Sequence, residues 1–142
     1  MTNTPRDVRE PIKVLFVCVE NSCRSQIAEA FAHILGRHAI KAYSAGSRPS
    51  GVIHPMAITI MTEVAYDLTR HSSKSLEAFA DMSFDAVITM GCGDACPHIP
   101  AKLRENWEIP DPRDMARDDF RKVRETIRVR VAALLEQLLP RV

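Results

Sequence analysis

The chain has 142 residues, of which 46% are hydrophobic and 26% are charged, and its formal net charge is +1. This composition is typical of a globular protein, and the charge balance gives no reason to expect a nucleic-acid or membrane partner. We expect a flexible tail over residues 1–11 and a single domain over residues 12–142 that is a monomer. The early apolar run Val14–Val19 is too short for a membrane span or a signal peptide, so we expect a cytoplasmic protein.

The first half of the chain alternates strand and helix patterns. Residues 12–18, IKVLFVC, form a continuous aliphatic and β-branched run that predicts a strand buried on both faces. The following AEAFAHILG stretch predicts a helix that ends at Gly36, and residues 40–44 predict a second strand. Pro55 suits the first turn of a helix that continues to Val64, and a short helix is expected over residues 75–80.

The second half completes the pattern. Residues 84–90, FDAVITM, predict a third buried strand, and residues 106–109 predict a fourth strand at an edge of the sheet. A long helix is expected from Asp114, because its apolar residues recur at intervals of three and four. Arginines recur along another face of this helix, which is either a solvated face or a docking surface for an acidic partner. The alternation predicts an α/β fold, a three-layer sandwich with a four-stranded parallel sheet.

A cysteine and an arginine bracket the loop between the first strand and the first helix. The segment CVENSCRS places Arg24 six positions after Cys18. A loop of this length can direct successive backbone N–H groups at one point, to which the helix adds its positive N-terminal end. Arg24 can then hold two oxygens of a tetrahedral oxyanion. Because thiols in such surroundings ionise readily, we expect Cys18 to be a nucleophilic thiolate rather than a buried core residue.

The rest of this loop is expected to bind the anion. The hydroxyl of Ser25 can donate to the sulfur of Cys18, whereas Cys23 has no evident chemical role and is expected to fill space. Glu20 places a carboxylate near the anion and should slow its capture unless the side chain points away. The predicted binding residues are Val19, Glu20, Asn21, Ser22, Cys23, Arg24 and Ser25.

A second cysteine pair follows the third predicted strand, in the segment ITMGCGDACPHIP. This segment emerges at the same edge of the sheet as Cys18, and its glycines and prolines indicate a loop. Three interpretations are open: a redox-active pair, a metal site in which His98 joins Cys92 and Cys96, and inert buried thiols.

The motif CVENSCRSQIAE, together with Asp111-Pro112, resembles the low-molecular-weight protein tyrosine phosphatase family. The likeness runs from Val14 to the final helix, and it is greater to the arsenate reductase branch, of the thioredoxin-coupled type. The matching stretches are NSCRSQIAEAF, YSAG, HP, TRHSSK, ITMGC and WEIPDP.

The resemblance implies a reaction sequence. Cys18 attacks arsenate, and Asp111 protonates the departing oxygen. Cys92 then attacks Cys18 and releases arsenite, and Cys96 attacks Cys92 to give a disulfide for an external reductant. Thioredoxin is the expected reductant, with glutaredoxin or a low-molecular-weight thiol as alternatives, since Cys92 and Cys96 are closer in sequence than in the thioredoxin-coupled members. No cofactor and no catalytic metal are expected.

The resemblance also implies a potassium site beneath the catalytic loop. Its ligands would fall on Asn21, Glu29, Ser44 and the position of Lys74, where an acidic residue is expected. An ammonium group cannot ligate a cation. The alternatives are that Lys74 replaces the ion, pairing with Glu29 and donating to the oxygens of Asn21 and Ser44, or that it is a surface residue.

Two other functions fit part of the pattern. A phosphotyrosine phosphatase would use the same loop and Asp111, although no aromatic pair follows Pro112 to flank a phosphotyrosine ring. A thiol protein that binds arsenite or a soft metal would use the cysteines but leaves the role of Arg24 unexplained.

Overall fold

A four-stranded parallel sheet forms the centre of the protein. The computed structural model describes residues 10–91 and 99–139. The strands are β1 (Ile12–Cys18), β2 (Ile40–Gly46), β3 (Phe84–Thr89) and β4 (Ala101–Asn106), in the order β2-β1-β3-β4. All three neighbouring pairs are parallel. The predicted α/β fold with a four-stranded parallel sheet is confirmed.

In the described part of the chain, three α-helices and three short 3-10 turns connect and cover the strands. The α-helix α2 begins where predicted, because Pro55 occupies its first turn and His54 Nδ1 accepts the backbone N–H of Met56 at 3.0 Å. The helices are α1 (Arg24–Gly36), α2 (Pro55–Thr62) and α3 (Arg117–Leu138), and the 3-10 turns are Arg37–Ala39, Leu68–Arg70 and Leu76–Phe79. Within these described residues, no helix is both long and apolar enough to cross a membrane.

The two faces of the sheet are covered unequally. The larger core packs alternate β1 side chains such as Val14 and Phe16 against α1 and α3, including Ile27 and Ile127. The smaller core packs the other β1 side chains against the 3-10 turn Leu76–Phe79. Alternation of side chains along each strand therefore buries β1 on both faces, which accounts for its continuous apolar sequence.

The largest differences from the sequence predictions concern the fourth strand and the start of the last helix. The fourth strand is Ala101–Asn106, not residues 106–109. Its sequence AKLREN alternates half-buried and exposed residues, as an edge strand does, and the apolar Trp107 and Ile109 belong to the following loop. Helix α3 begins at Arg117 rather than Asp114, because a turn closed by the Met115 N–H and the Pro112 carbonyl, at 2.9 Å, precedes it.

The arginine stripe of α3 makes contacts within the chain. Arg121 and Arg124 both donate to the carboxylate of Glu63, at 2.7 and 2.8 Å, and so tie α3 to the end of α2. These hydrogen bonds and charges hold the pKa of Glu63 down, at about 2. The structure therefore gives two of the arginines a packing role that the sequence pattern did not predict.

The strand order changes direction between β1 and β3, because the chain runs from β1 outward to β2 and then returns to β3. In open parallel sheets, such a switch leaves a crevice at the carboxyl ends of the two strands. Cys18 is the last residue of β1, and Gly91 follows the end of β3. The crevice therefore lies between these two residues.

Candidate active site

The loop from Cys18 to Ser25 connects β1 directly to α1 and is fixed along its length by backbone hydrogen bonds. The carbonyls of Cys18, Val19 and Glu20 accept N–H groups from the segment after β2, at 3.2, 2.8 and 3.0 Å. Gly46 permits this close approach, since a Cβ at that position would lie 2.6 Å from the carbonyl oxygen of Val19. These hydrogen bonds thus attach the first three residues of the loop to the segment that follows β2.

Asn21 sets the sharp bend of this loop. It adopts a left-handed backbone with φ 53°, a conformation that asparagine tolerates better than most residues. Its Oδ1 accepts the backbone N–H of Lys74 at 2.7 Å, which identifies the other amide atom as the donor to Ser25 Oγ, also at 2.7 Å. Asn21 therefore fixes both the loop and the orientation of the Ser25 hydroxyl.

The thiol of Cys18 lies beside that hydroxyl. Cys18 Sγ and Ser25 Oγ are 2.9 Å apart, and Cys18 is only 3% exposed. Because Ser25 Oγ accepts a hydrogen bond from Asn21, its own hydrogen is free to point at the sulfur. Helix α1 starts one residue before Ser25, so its positive end also faces the thiol. Both groups are thus placed to interact with negative charge at this sulfur.

Arg24 lies next to the thiol, with part of its hydrogen-bonding capacity unused. It is 7% exposed, and its Nη1 donates to the carbonyl of Ile109 at 3.1 Å. Its Nε is buried and has no acceptor among the described residues. A buried N–H without a partner costs free energy unless a ligand accepts it. Arg24 therefore retains an unpartnered buried donor, as expected of a residue that binds an oxyanion.

Cys18 and Arg24 line a cavity of about 110 Å³. Asp111 reaches this cavity from the loop after β4, with its carboxylate 3.8 Å from Arg24 Nη2. That carboxylate accepts the backbone N–H of Arg113 and is 43% exposed, so it is in contact with solvent. The cavity is lined by Cys18, Val19, Glu20, Ser22, Cys23, Arg24, Asp111 and Arg113.

Cys23 lines the cavity but is chemically unlike Cys18. It is 4% exposed, and burial raises the pKa of its thiol to about 12, although a long 3.9 Å hydrogen bond from Ser22 opposes this shift. A thiol with this pKa is neutral at physiological pH and is a poor nucleophile. The structure thus agrees with the sequence interpretation that Cys23 fills space.

Glu20 does not point away from the loop; it is neutralised instead. Its carboxylate forms an ion pair with Arg113, at 2.5 Å from Nη1. Sequence reasoning missed Arg113, because it lies 93 positions from Glu20 and no local pattern connects them. The only signal was its position two residues after Asp111.

The side chain of Lys74 does not take the position expected if it replaced the potassium ion. Its Nζ donates to the carbonyl of Ser72 at 2.6 Å, not to Asn21 or Ser44. Asn21 accepts the backbone N–H of Lys74, and Ser44 Oγ donates to Glu29 at 2.6 Å. Lys74 is half-buried, and burial lowers its pKa against the opposing charge of Glu29. The predicted direct contacts of the ammonium group are therefore wrong, but its charge still acts on Glu29.

A group of possible metal ligands lies on the far side of Glu29. Ligand atoms of Glu29, His33 and His71 lie within 4.8 Å of one another. However, both ring nitrogens of His71 have partners, Gln26 Oε1 at 2.9 Å and the hydroxyl of Tyr66 at 2.6 Å. Burial lowers the pKa of His71, which favours the neutral ring. A metal would have to displace one of these hydrogen bonds.

Gln26 joins this group to the catalytic loop. Its Nε2 donates to the carbonyls of Asn21 and Ser72, at 3.0 and 2.9 Å, and its Oε1 faces His71. Sequence reasoning did not single out Gln26, although it lies within the motif that carries the family resemblance. The predicted relay cysteines, Cys92 and Cys96, fall outside the described residues.

A strand-loop-helix anion site that contains Cys18 and Arg24, faced by Asp111, defines a class of cysteine-dependent phosphatase-like proteins. The model of the low molecular weight phosphotyrosine protein phosphatases matches residues 13–141, so the chain belongs to that family.

Relatives with known names include reductases. The glutaredoxin arsenate reductase of Synechocystis sp. is 40% identical over 89% of this chain and 98% of its own length. A solved structure described as an arsenate reductase in the phosphate binding state is 38% identical, with a TM-score of 0.80 over 90% of this chain and 99% of its own. The thioredoxin-dependent arsenate reductase of Corynebacterium glutamicum is 34% identical, with a TM-score of 0.74 over 92% of this chain and 63% of that one.

Proposed function

We propose that this protein is an arsenate reductase in which Cys18 attacks arsenate held by the Cys18–Ser25 loop. The observation that carries the proposal is that Arg24 lines the same small cavity as the thiol and has a buried Nε without an acceptor among the described residues. The names of the relatives support arsenate as the oxyanion, since arsenate and phosphate share the tetrahedral shape that such a cavity binds. No bound cofactor is required, because thiols supply the electrons.

The first step forms an arsenic–sulfur bond. The Cys18 thiolate displaces an oxygen of arsenate, and Asp111 in its acid form donates the proton with which that oxygen leaves as water. Arg24 and the N-terminal end of α1 stabilise the negative charge on the remaining oxygens. Arsenic stays pentavalent in this adduct.

The second step transfers two electrons to arsenic. The Cys92 thiolate attacks the sulfur of Cys18, so that a disulfide forms and the electron pair of the arsenic–sulfur bond remains on arsenic. Arsenite leaves, and two cysteine thiols have been oxidised. Cys96 then attacks Cys92, which regenerates Cys18 and leaves a Cys92–Cys96 disulfide for an external reductant.

Thioredoxin is the proposed reductant, with glutaredoxin or a low-molecular-weight thiol as alternatives. The names of the relatives divide on this point, since one is a glutaredoxin enzyme and another is thioredoxin-dependent. Such a cycle requires a compartment that keeps thiols reduced, so we also propose that the protein acts in the cytoplasm.

A coupled assay tests the activity. Purified protein is supplied with arsenate, NADPH and either thioredoxin with its reductase or glutathione with glutaredoxin and glutathione reductase. We expect arsenate-dependent NADPH consumption with one of the two systems, and none after Cys18→Ser. NADPH consumption that survives Cys18→Ser would overturn the proposed nucleophile.

The relay is tested separately. Cys96→Ser should release about one arsenite per chain and then stop with Cys18 bonded to Cys92, because the last exchange is missing. Mass mapping after arsenate treatment should find that disulfide. Sustained turnover of this variant with thioredoxin alone would contradict the relay.

Phosphatase activity is the second candidate, because the family is one of phosphotyrosine phosphatases and the same cysteine, arginine and Asp111 would serve it. Hydrolysis of an aryl phosphate, without arsenate-dependent NADPH consumption, would favour this function. Tight arsenite or metal binding with neither activity would favour a thiol-binding protein.

A further inference from the structure

An ion pair joins the two loops that face each other across the cavity. Glu20 belongs to the catalytic loop, and Arg113 follows the Asp111-Pro112 turn. Arg113 Nη1 lies 2.5 Å from Glu20 Oε2, and Nη2 lies 3.7 Å from Asp111 Oδ2. The hydrogen bond and charge of Glu20, with the charge of Asp111, raise the pKa of Arg113, which therefore stays charged.

The backbone at each end of this pair is fixed. The carbonyl of Glu20 accepts hydrogen bonds from Ser50 N–H and Ser73 Oγ, both at 3.0 Å. The carbonyl of Arg113 lies 3.2 Å from His54 Nε2 at the start of α2. The two side chains therefore connect anchored segments and do not belong to two free loops.

The pair lies at the rim of the cavity, above the thiol. Both residues line the cavity, but their side chains are 35% and 49% exposed, whereas Cys18 is 3% exposed at its floor. Glu20 and Arg113 therefore form part of the boundary between the cavity and solvent.

The position of the Glu20–Arg113 pair at the rim affects which substrates can bind in the cavity. In nucleophilic displacement at phosphorus or arsenic the leaving group lies opposite the nucleophile, here on the side of Asp111 and Arg113. The leaving oxygen of inorganic arsenate carries at most a proton. The leaving oxygen of a phosphate monoester carries an organic group, which has to extend through the rim.

We propose that the Glu20–Arg113 pair is a specificity filter that admits inorganic oxyanions and excludes phosphate monoesters and phosphonates with bulky substituents. This inference rests on the proposed function of the same cavity. Glu20 and Arg113 act here as specificity-determining residues and take no part in bond formation. Arg113 also compensates the charge of Glu20, which would otherwise repel an anion from the opening of the cavity.

Binding measurements separate a filter from a simple charge effect. Removal of the negative charge of Glu20 should strengthen the binding of every anion, and removal of the positive charge of Arg113 should weaken it. Neither charge effect alone changes the ratio of affinities for two anions of the same charge. A filter that is broken changes this ratio in the same direction in both variants.

The experiment compares inorganic phosphate with phenylphosphonate, by calorimetry on the reduced full-length protein. We expect the wild type to bind phenylphosphonate at least about tenfold more weakly than phosphate. Glu20→Gln and Arg113→Gln should each bring the two affinities to within about threefold, and the double variant should do no more than either single one, because all three break the same interaction. Asp114→Asn is the matched control, since it removes a charge near Arg113 without breaking the pair, and should leave the ratio unchanged.

Three results would overturn the filter: equal wild-type affinities for the two ligands, parallel changes in both affinities after Glu20→Gln, or the same change in ratio after Asp114→Asn. Exposed ion pairs contribute little to stability, so the variants should fold, and unchanged melting curves verify this. Because binding requires no turnover, failure of the arsenate assay would leave this result standing, and failure of the filter would leave the arsenate assay standing.

Discussion

Arg24 is the residue on which the proposed oxyanion binding most depends, and its side chain has contacts on several sides. It donates to the carbonyl of Ile109, faces the carboxylate of Asp111, and passes close to the backbone of Gly91. Gly91 follows β3, so the position of Arg24 depends on the neighbouring strand as well as on its own loop. A substitution at Gly91 should therefore alter anion binding at the proposed site.

We predict that Gly91→Ala weakens phosphate binding about tenfold, or by about 1.4 kcal/mol. The added Cβ would lie 2.4 Å from Arg24 Nη1, so the buried guanidinium must move. Calorimetry with inorganic phosphate measures the effect. Gly51→Ala is the control, because Gly51 has a similar positive φ of 83° but no heavy atom within 4 Å of the added Cβ.

If the two alanine variants bind phosphate equally, backbone strain alone would account for any loss, and the close approach of Gly91 to Arg24 would have no part in binding.

Lys74 leads to a prediction about potassium. Asn21 Oδ1 accepts the backbone N–H of Lys74, Ser44 Oγ donates to Glu29, and the charge of Lys74 acts on Glu29. Burial alone would raise the pKa of Glu29, but the hydrogen bonds of His33 and Ser44 and the charge of Lys74 oppose this effect, and the pKa is lowered. Groups of the protein itself therefore stabilise this carboxylate.

We therefore expect arsenate reduction and the melting temperature to be unchanged when sodium replaces potassium. Lys74→Asp should introduce a potassium dependence, and Lys74→Gln should not, because only the former adds an anionic ligand. A clear potassium stimulation of the wild type would refute this account.

Side-chain positions were predictable from sequence only where the partners are close in the chain. The contact of Cys18 with Ser25 spans seven residues of one loop, and the motif indicated it. The side-chain contacts of Glu20 and Lys74 could not be predicted in this way. Glu20 pairs with a residue 93 positions away, and the Lys74 ammonium group donates to a backbone carbonyl instead of the expected side-chain oxygens. Long-range ion pairs leave no local pattern in a sequence.

At the scale of elements, the link between α2 and α3 rests on Glu63. This carboxylate accepts hydrogen bonds from both Arg121 and Arg124, and Arg124 also donates to the carbonyl of Ile60 at 3.1 Å. The spacing of three residues places both arginines on the same face of α3. The end of α2 is thus attached to α3 by charge as well as by apolar packing.

This link predicts a pH dependence of stability. The pKa of Glu63 is about 2 in the folded protein, below the ordinary value of 4.5, so its stabilisation is complete above pH 4.5 and is lost as the pH falls toward 2. Glu63→Gln should lower the melting temperature at about pH 7, and its difference from the wild type should shrink as the pH falls from about 5 to about 2.5.

Thermal melting by circular dichroism at several pH values measures this difference. Glu136→Gln on α3 is the control, because Glu136 is exposed and has no ion pair within the described residues. A difference between Glu63→Gln and wild type that stays constant down to the lowest pH would argue against the ion pairs as its cause.

Elements with many apolar residues were predicted well, and polar ones less well. Strand β1 and the end of α1 agree with the sequence to the residue, because continuous burial and a terminal glycine are strong signals. Strand β4 was misplaced toward Trp107 and Ile109, since its own sequence has few apolar residues and its stability comes from backbone pairing with β3. Backbone pairing at a sheet edge requires little of the side chains, so the sequence reveals it poorly.

At the scale of the molecule, the parallel sheet explains why residues from three segments meet. Cys18 ends β1, Gly91 follows β3, and Asp111 follows β4, and parallel strands direct all three to one edge. This convergence was predictable once the strands were recognised as parallel. The fold alone does not separate a phosphatase from a reductase, because both reactions begin with the same cysteine and the same anion cavity.

Reduction differs from hydrolysis in its electron balance, and a single-turnover measurement tests this directly. Fully reduced protein is mixed with arsenate in the absence of any external reductant, and arsenite and free thiols are counted. The account predicts about one arsenite per chain and the loss of two of the four thiols, with neither change after Cys18→Ser. No arsenite and four intact thiols in the wild-type protein would contradict it.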